Sequence, residues 1–156
     1  MSVLAAIRPN EWELPLFIHV LGALALIGTV TLSAALLFSA WRGASVASLR
    51  LALRSLTLGV IPSWVVLRGS AEWIADKEGY FNIDDPPDWV DLGYMAGDIG
   101  FLLIVVSSVL VWITYRKVRA EPNEGPSRAV RAAAVLIALL LVLNLVALWA
   151  MTTKPT

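Results

Sequence analysis

The chain has 156 residues, of which 58% are hydrophobic and 15% charged, a balance that a water-soluble domain of this length rarely carries and that points to an integral membrane protein. Its 12 basic and 12 acidic side chains cancel, so overall charge gives no pull toward nucleic acid, and the partner that the composition indicates is the lipid bilayer. Cysteine is absent, which excludes disulfides, thiolate catalysis and cysteine-based zinc or iron-sulfur centres, and His19 is the sole imidazole.

Four apolar runs reach the length, about 20 residues, that a helix needs to cross the hydrocarbon core. The first, Leu14 to Ala40, is too long for a signal-peptide core and has no convincing small-residue cleavage site, so it is expected to be a mature helix. Next comes Leu56 to Ile74, which Ser45 to Arg54 can extend on its N-terminal side. Pro62 should kink this second helix and leave the carbonyl of Leu58 without its usual donor. The following loop, DKEGYFNIDDPPDWVD, gathers Asp84, Asp85, Asp88 and Asp91, but Pro86 and Pro87 break the spacing that a calcium loop needs. It reads as a solvated acidic loop in which Asp88 or Asp91 caps the third helix. That helix, Leu92 to Tyr115, opens with Gly93 and Gly97 in a GxxxG, a pattern that serves helix packing. EPNEGPS, Glu121 to Ser127, is turn chemistry, and the last run is Ala129 to Met151.

Charge asymmetry sets the orientation. The connection after the first run holds Arg42, Arg50 and Arg54, and the one after the third holds Arg116, Lys117, Arg119, Arg128 and Arg131, whereas most of the acids lie on the opposite side. Both basic connections should be cytoplasmic and both termini outside, in the cell membrane. Trp12, Trp73, Trp89 and Trp149 fall at the outer ends of the spans, and Trp41, Trp112 and Tyr115 at the inner ends, as interfacial aromatics do. The expected fold is therefore an all-α, single-domain, four-helix membrane bundle, N-out and C-out.

Five polar residues interrupt the spans: His19, Arg68, Glu72, Asp98 and Asn144. At about 1.5 Å of rise per residue they lie roughly 3 to 10 Å inside the outer ends of their helices, so every span contributes to one layer. A charge at membrane depth costs upward of about 2.5 kcal/mol even on lenient scales, so Arg68 and Asp98 should turn inward and find partners. Arg68 and Glu72 share a helix face at i and i+4, and with Asp98 at the same level one guanidinium could bridge both carboxylates. The cluster would keep a net negative charge, which a protonated His19 would cancel. It reads first as a structural network that fixes helix register, and next as a proton or ligand site open to the outside.

His19 has two readings as well: an imidazole bonded to Asp98 or Asn144, or a metal ligand. In a haem b site His19 would bind the iron, Gly22 and Ala23 would make room for the porphyrin, Arg68 would meet a propionate, and Met95 or Met151 would complete the iron. In a copper site the ligands would be His19, Met95 and Met151. No nucleophile and base pair, phosphate loop or HExxH occurs, so no catalytic residue is assigned and hydrolysis is not expected.

The segment LPLFIHVLGALALIGTV supplies Leu14, His19, Gly22, Ala23 and Gly28 in an L-x-x-x-H-x-x-G-A type of helix with a further glycine. In this it resembles the first helix of small bacterial membrane proteins of the DUF2269 family and, more distantly, of CopD-like copper-resistance domains. The resemblance covers about one helix and implies a four-helix integral membrane protein, with a link to copper or haem in the CopD-like branch. Three functions follow as expectations: a binding or accessory protein for a small ligand, metal or haem; a proton-coupled transporter acting as a homo-oligomer; or a structural subunit of a larger membrane complex.

Overall fold

A computed structural model of the chain describes residues 13–43, 45–80, 87–120 and 127–153. These residues form four helices, each long and apolar enough to cross a membrane: α1 (Glu13–Gly43), α2 (Val46–Glu78), α3 (Asp88–Ala120) and α4 (Arg128–Thr153). Every expected span lies inside one of them. Among the described residues there is no strand.

Helix α2 carries two departures from a plain apolar run. Its first ten residues, Val46–Ser55, precede the hydrophobic stretch and are started by Ser45, whose extended backbone lets its side chain accept from the Ser48 N–H at 3.4 Å. Leu56–Val60 then forms a π turn, in which the Ile61 N–H reaches back to the Leu56 carbonyl. The reason stands next in sequence: Pro62 has no N–H to give to Leu58, and its ring crowds that carbonyl, so a widened turn relieves the clash. The expected disturbance is thus a π bulge. At its far end α2 stops on Gly79, whose φ of 75° is left-handed and whose N–H donates to the Asp76 carbonyl at 3.2 Å.

The helices form a ring in chain order. α1 packs on α2, α3 on α4, and α4 on α1, but α2 meets α3 mainly through Val46–Ser55 and much less through Ile61–Glu78. Small residues bring α1 and α2 close. A Cβ on Gly22 would lie 3.0 Å from the Leu67 nitrogen, and one on Gly59 would lie 2.9 Å from Thr29 Cγ2. Hydroxyls reinforce the seam, with Ser33 Oγ donating to Ser55 Oγ at 2.9 Å and Ser55 Oγ to the Thr29 carbonyl at 3.3 Å.

Leu37, Leu49, Leu56, Ile104, Val111 and Ile137 fill the core, and yet Ser33, Ser107 and Thr114 are buried beside them while Phe17, Leu58, Leu102 and Trp149 lie on the surface. Large apolar surface facing outward costs free energy in water and nothing in lipid. Charges gather at the two ends of the bundle. One end carries Arg42, Arg50, Arg54, Arg116, Arg119, Arg128 and Arg131, and the other carries Glu13, Asp76, Glu78, Asp88 and Asp91; they are called here the basic and the acidic end. Asp88 and Asp91 occupy the first turn of α3, where acids suit the helix dipole. Trp12, Asp84, Asp85 and Glu121 to Gly125 lie outside the described residues.

Candidate functional site

The i, i+4 spacing on α2 and the low packing of its acidic-end half, Ile61–Glu78, against α3 leave room for an ion cluster. Arg68 Nε lies 3.1 Å from Glu72 Oε1, and Nη2 lies 3.5 Å from Asp98 Oδ1 on α3, so one guanidinium holds two carboxylates. The guanidinium also sits over the Tyr94 ring, 4.4 Å from its centroid, while the Tyr94 hydroxyl donates to Glu72 Oε2 at 3.3 Å. Gly97 supplies the space, since a Cβ there would come within 3.3 Å of Arg68 Nη1. Trp64 ties the two helices together by donating from Nε1 to the Gly97 carbonyl at 3.0 Å, and it stacks 4.6 Å from Phe101.

His19 belongs to a different contact set. Its Nδ1 lies 3.3 Å from Ser70 Oγ, across the α1–α2 seam. Ser70 has one hydroxyl hydrogen, and its backbone neighbours, the carbonyls of Val66 at 2.8 Å and Leu67 at 2.9 Å, can only accept it. With that hydrogen on a carbonyl, Ser70 Oγ accepts from Nδ1–H, and in this tautomer Nε2 of His19 is an acceptor. Asn144 follows the same logic. Its Nδ2 donates to the Leu140 carbonyl at 2.8 Å, one turn back on α4, so Oδ1 is the end left over.

These groups share one space. A cavity of about 400 Å³ opens among all four helices at the acidic end, with His19, Arg68, Lys77, Glu78, Tyr94 and Asn144 on a wall otherwise built mostly of apolar and aromatic side chains, including Trp64, Leu67 and Trp89. Leu26, Gly100 and Leu140 close it toward the basic end, where Leu140 Cδ1 packs within 3.2 Å of a Cβ position on Gly100. Tyr80 and Trp89 meet edge to face at its mouth, with centroids 6.0 Å apart. Burial and then the neighbouring Glu78 push the Tyr80 phenol up to about 12, so it stays protonated.

The expected polar layer is therefore real in height but divided in contact. Arg68, Glu72 and Asp98 meet as anticipated. His19 bonds Ser70 rather than Asp98 or Asn144, because Asp98 points to the outside of α3, 69% exposed, and the Asn144 amide folds back on its own helix. Glu72 and Asp98 stay off the cavity wall, so His19 is not their countercharge. The copper set also comes apart. His19 and Met151 line the cavity, but Met95 is 58% exposed on the far side of its helix. Among the described residues no three His, Asp or Glu side chains converge on a point that would hold a metal ion. The Gly93 and Gly97 motif divides its work: Gly93 faces the Met151 methyl and Gly97 the Arg68 side chain.

Residue types and spacing had not singled out Ser70, Trp64 or the role of Tyr94. Tyr94 could have been found from its i, i+4 relation to Asp98, and Ser70 from being a small hydroxyl on the face of α2 opposite to Arg68. Trp64 carried no signal beyond a tryptophan in mid-span.

No protein-family model, curated protein or solved structure matches the chain.

Proposed function

We propose that this is a multi-pass protein of the cell membrane, with its basic end cytoplasmic and both termini outside, that binds a small, largely apolar molecule in the acidic-end cavity. The volume falls in the usual range of ligand sites, and the mixture of apolar walls with a few polar groups is their usual chemistry. One observation carries the reading. His19 and Asn144 each spend one end on a neighbour, Nδ1 on Ser70 Oγ and Nδ2 on the Leu140 carbonyl, and in the tautomer with Nδ1 protonated Nε2 and Oδ1 are the acceptors that remain. A ligand with a hydroxyl or amine head suits them, and a carboxylate head does not, because it would face these acceptors and the Glu78 carboxylate on the same wall. Arg68 is already engaged by two acids and offers an anion little.

The test titrates the purified protein with bromoalkyl probes of one chain length that end in an alcohol, an amine or a carboxylate, following quenching of tryptophan fluorescence. The alcohol and amine are expected to bind about tenfold more tightly than the carboxylate, the worth of one hydrogen bond made against one left unmade. Ala147→Phe, which fills the cavity, should abolish the quenching. Unchanged quenching in that variant would refute the cavity as the site. A haem titration separates the metal version, since haem b bound through His19 Nε2, with Met151 on the same cavity, would give a Soret band that His19→Ala removes.

A second reading, a homo-oligomer or a subunit of a larger membrane complex, draws support from Asp98. A carboxylate that is 69% exposed at the height of the spans faces lipid in a monomer, and a partner helix on the α2–α3 side would cover it. Mass measurement in detergent would decide: a strict monomer in both the wild type and Asp98→Asn removes this reading.

A further inference from the structure

At the basic end, Val46–Ser55 of α2 and the last turns of α3 flank a groove of about 720 Å³ lined by Arg50, Arg54, Arg119, Tyr115 and Leu51. Arg50 and Arg54 are one helical turn apart on α2, and Arg119 approaches from α3, so three guanidinium groups border one space. Their neighbours at this end are quenched differently. Arg42 lies over Phe38, Arg116 over Trp112 and Arg131 over Trp41, each with its charge spread on a ring face. Among the described residues, the groove arginines lie over no ring and no carboxylate stands at this end of the bundle. The floor is apolar, formed by Val46, Ala47 and a half-exposed Leu51, and the same helix continues to Leu58, which is 76% exposed.

We propose that this groove binds the phosphate headgroup of an anionic membrane lipid, with the arginines on the phosphate oxygens, the Tyr115 hydroxyl as a further donor and an acyl chain running along Leu51 toward Leu58. Fork-shaped guanidinium groups suit phosphate oxygens in pairs. The apolar floor, continuous with the surface of a spanning helix, favours a lipid over free phosphate. A basic pocket between helices at a membrane surface is where such headgroups gain most. The inference rests on the helices crossing a membrane and is independent of the cavity at the other end.

Native mass spectrometry of the full chain tests it, with micelles doped with phosphatidylglycerol or with phosphatidylcholine of the same acyl chains, and separately with inorganic phosphate. Phosphatidylglycerol should be retained about a hundredfold more strongly, falling about fivefold for each of Arg50→Gln, Arg54→Gln and Arg119→Gln. Arg116→Gln, which removes a ring-stacked charge, should leave retention within about twofold. Equal retention of the two lipids by the wild type overturns the proposal. Inorganic phosphate that binds alone and displaces the lipid headgroup would overturn the lipid as the source. Should a variant not fold, the comparison of the two lipids on the wild type decides by itself.

Discussion

The two halves of the bundle bury different things. Toward the basic end the fully enclosed positions are mainly large, with Leu37, Leu49, Leu56, Val111, Val130 and Ile137 meeting in a continuous core. Toward the acidic end, Leu26 and Val90 apart, they are Pro15, Gly22, Ser70, Ala75, Gly100 and Ala150. Side chains of that size cannot fill the axis of four helices, and the unfilled space is the cavity. Packing is thus segregated along the bundle axis: one half holds the helices together, and the other leaves open the space in which a ligand is proposed to bind.

Deleting volume from each half should separate the two most clearly. Leu56→Ala should lower stability by about 2–5 kcal/mol, the range for a fully buried leucine that leaves a cavity. Leu148→Ala, on the cavity wall and 43% exposed, should cost far less, since its surroundings are already open. Denaturation of both variants in mixed micelles would compare them. Equal losses would mean that the acidic half is as tightly packed as the basic one.

The ion cluster gives the next largest effect and an asymmetry. Arg68→Gln leaves Glu72 and Asp98 without their shared countercharge, and should cost about 2–3 kcal/mol, below the full figure for a buried pair because both acids are partly exposed. Asp98→Asn leaves Arg68 paired with Glu72 and stacked on Tyr94, and should be nearly neutral. A thermal midpoint that falls as far in Asp98→Asn as in Arg68→Gln would show that the carboxylate has a structural partner beyond the arginine.

Much of this molecule was legible before its coordinates. Spans, ends and the segregation of charge follow from hydropathy and from where Arg and Asp occur, because lipid imposes those rules on any helix that crosses it. The Arg68, Glu72 and Asp98 contact was readable too, since i, i+4 spacing and equal depth leave few alternatives. What could not be read was direction about the helix axis. Asp98 and Gly97 are neighbours in the chain and both meet Arg68, and yet the Asp98 side chain is 69% exposed while Gly97 lines the cavity. The partner of His19 depended on the close approach at Gly22, which a one-dimensional pattern of small residues permits but does not assign. Met95 illustrates the same limit, being at the right height and on the wrong face.

Glycines test that close approach directly. Gly22→Ala puts a methyl 3.0 Å from the backbone nitrogen of Leu67, which moves only if α2 moves, so the gain in helix propensity is outweighed and a net loss of about 1–2 kcal/mol is expected. The seam also carries the bond from His19 to Ser70, so head-group discrimination in the cavity should fall together with stability. Gly28→Ala meets nothing within 4 Å and should stabilise by up to about 1 kcal/mol. If the two substitutions had effects of the same sign, the contact at Gly22 would not be what sets the spacing of α1 and α2.

The smallest effects concern two serines that are both fully buried in the core. Ser33 Oγ has partners, the Thr29 carbonyl at 2.8 Å and Ser55 Oγ at 2.9 Å, and Ser33→Ala removes an interhelical hydrogen bond worth about 0.6 kcal/mol in a membrane protein. Ser107 Oγ has no partner among the described residues. Its burial carries a desolvation cost without a return, so Ser107→Ala should be neutral or should stabilise slightly. A measured loss at Ser107 equal to that at Ser33 would mean that its hydroxyl is satisfied by water, and water there would extend the wet region past the floor of Leu26, Gly100 and Leu140 into the half of the bundle that the comparison treats as dry.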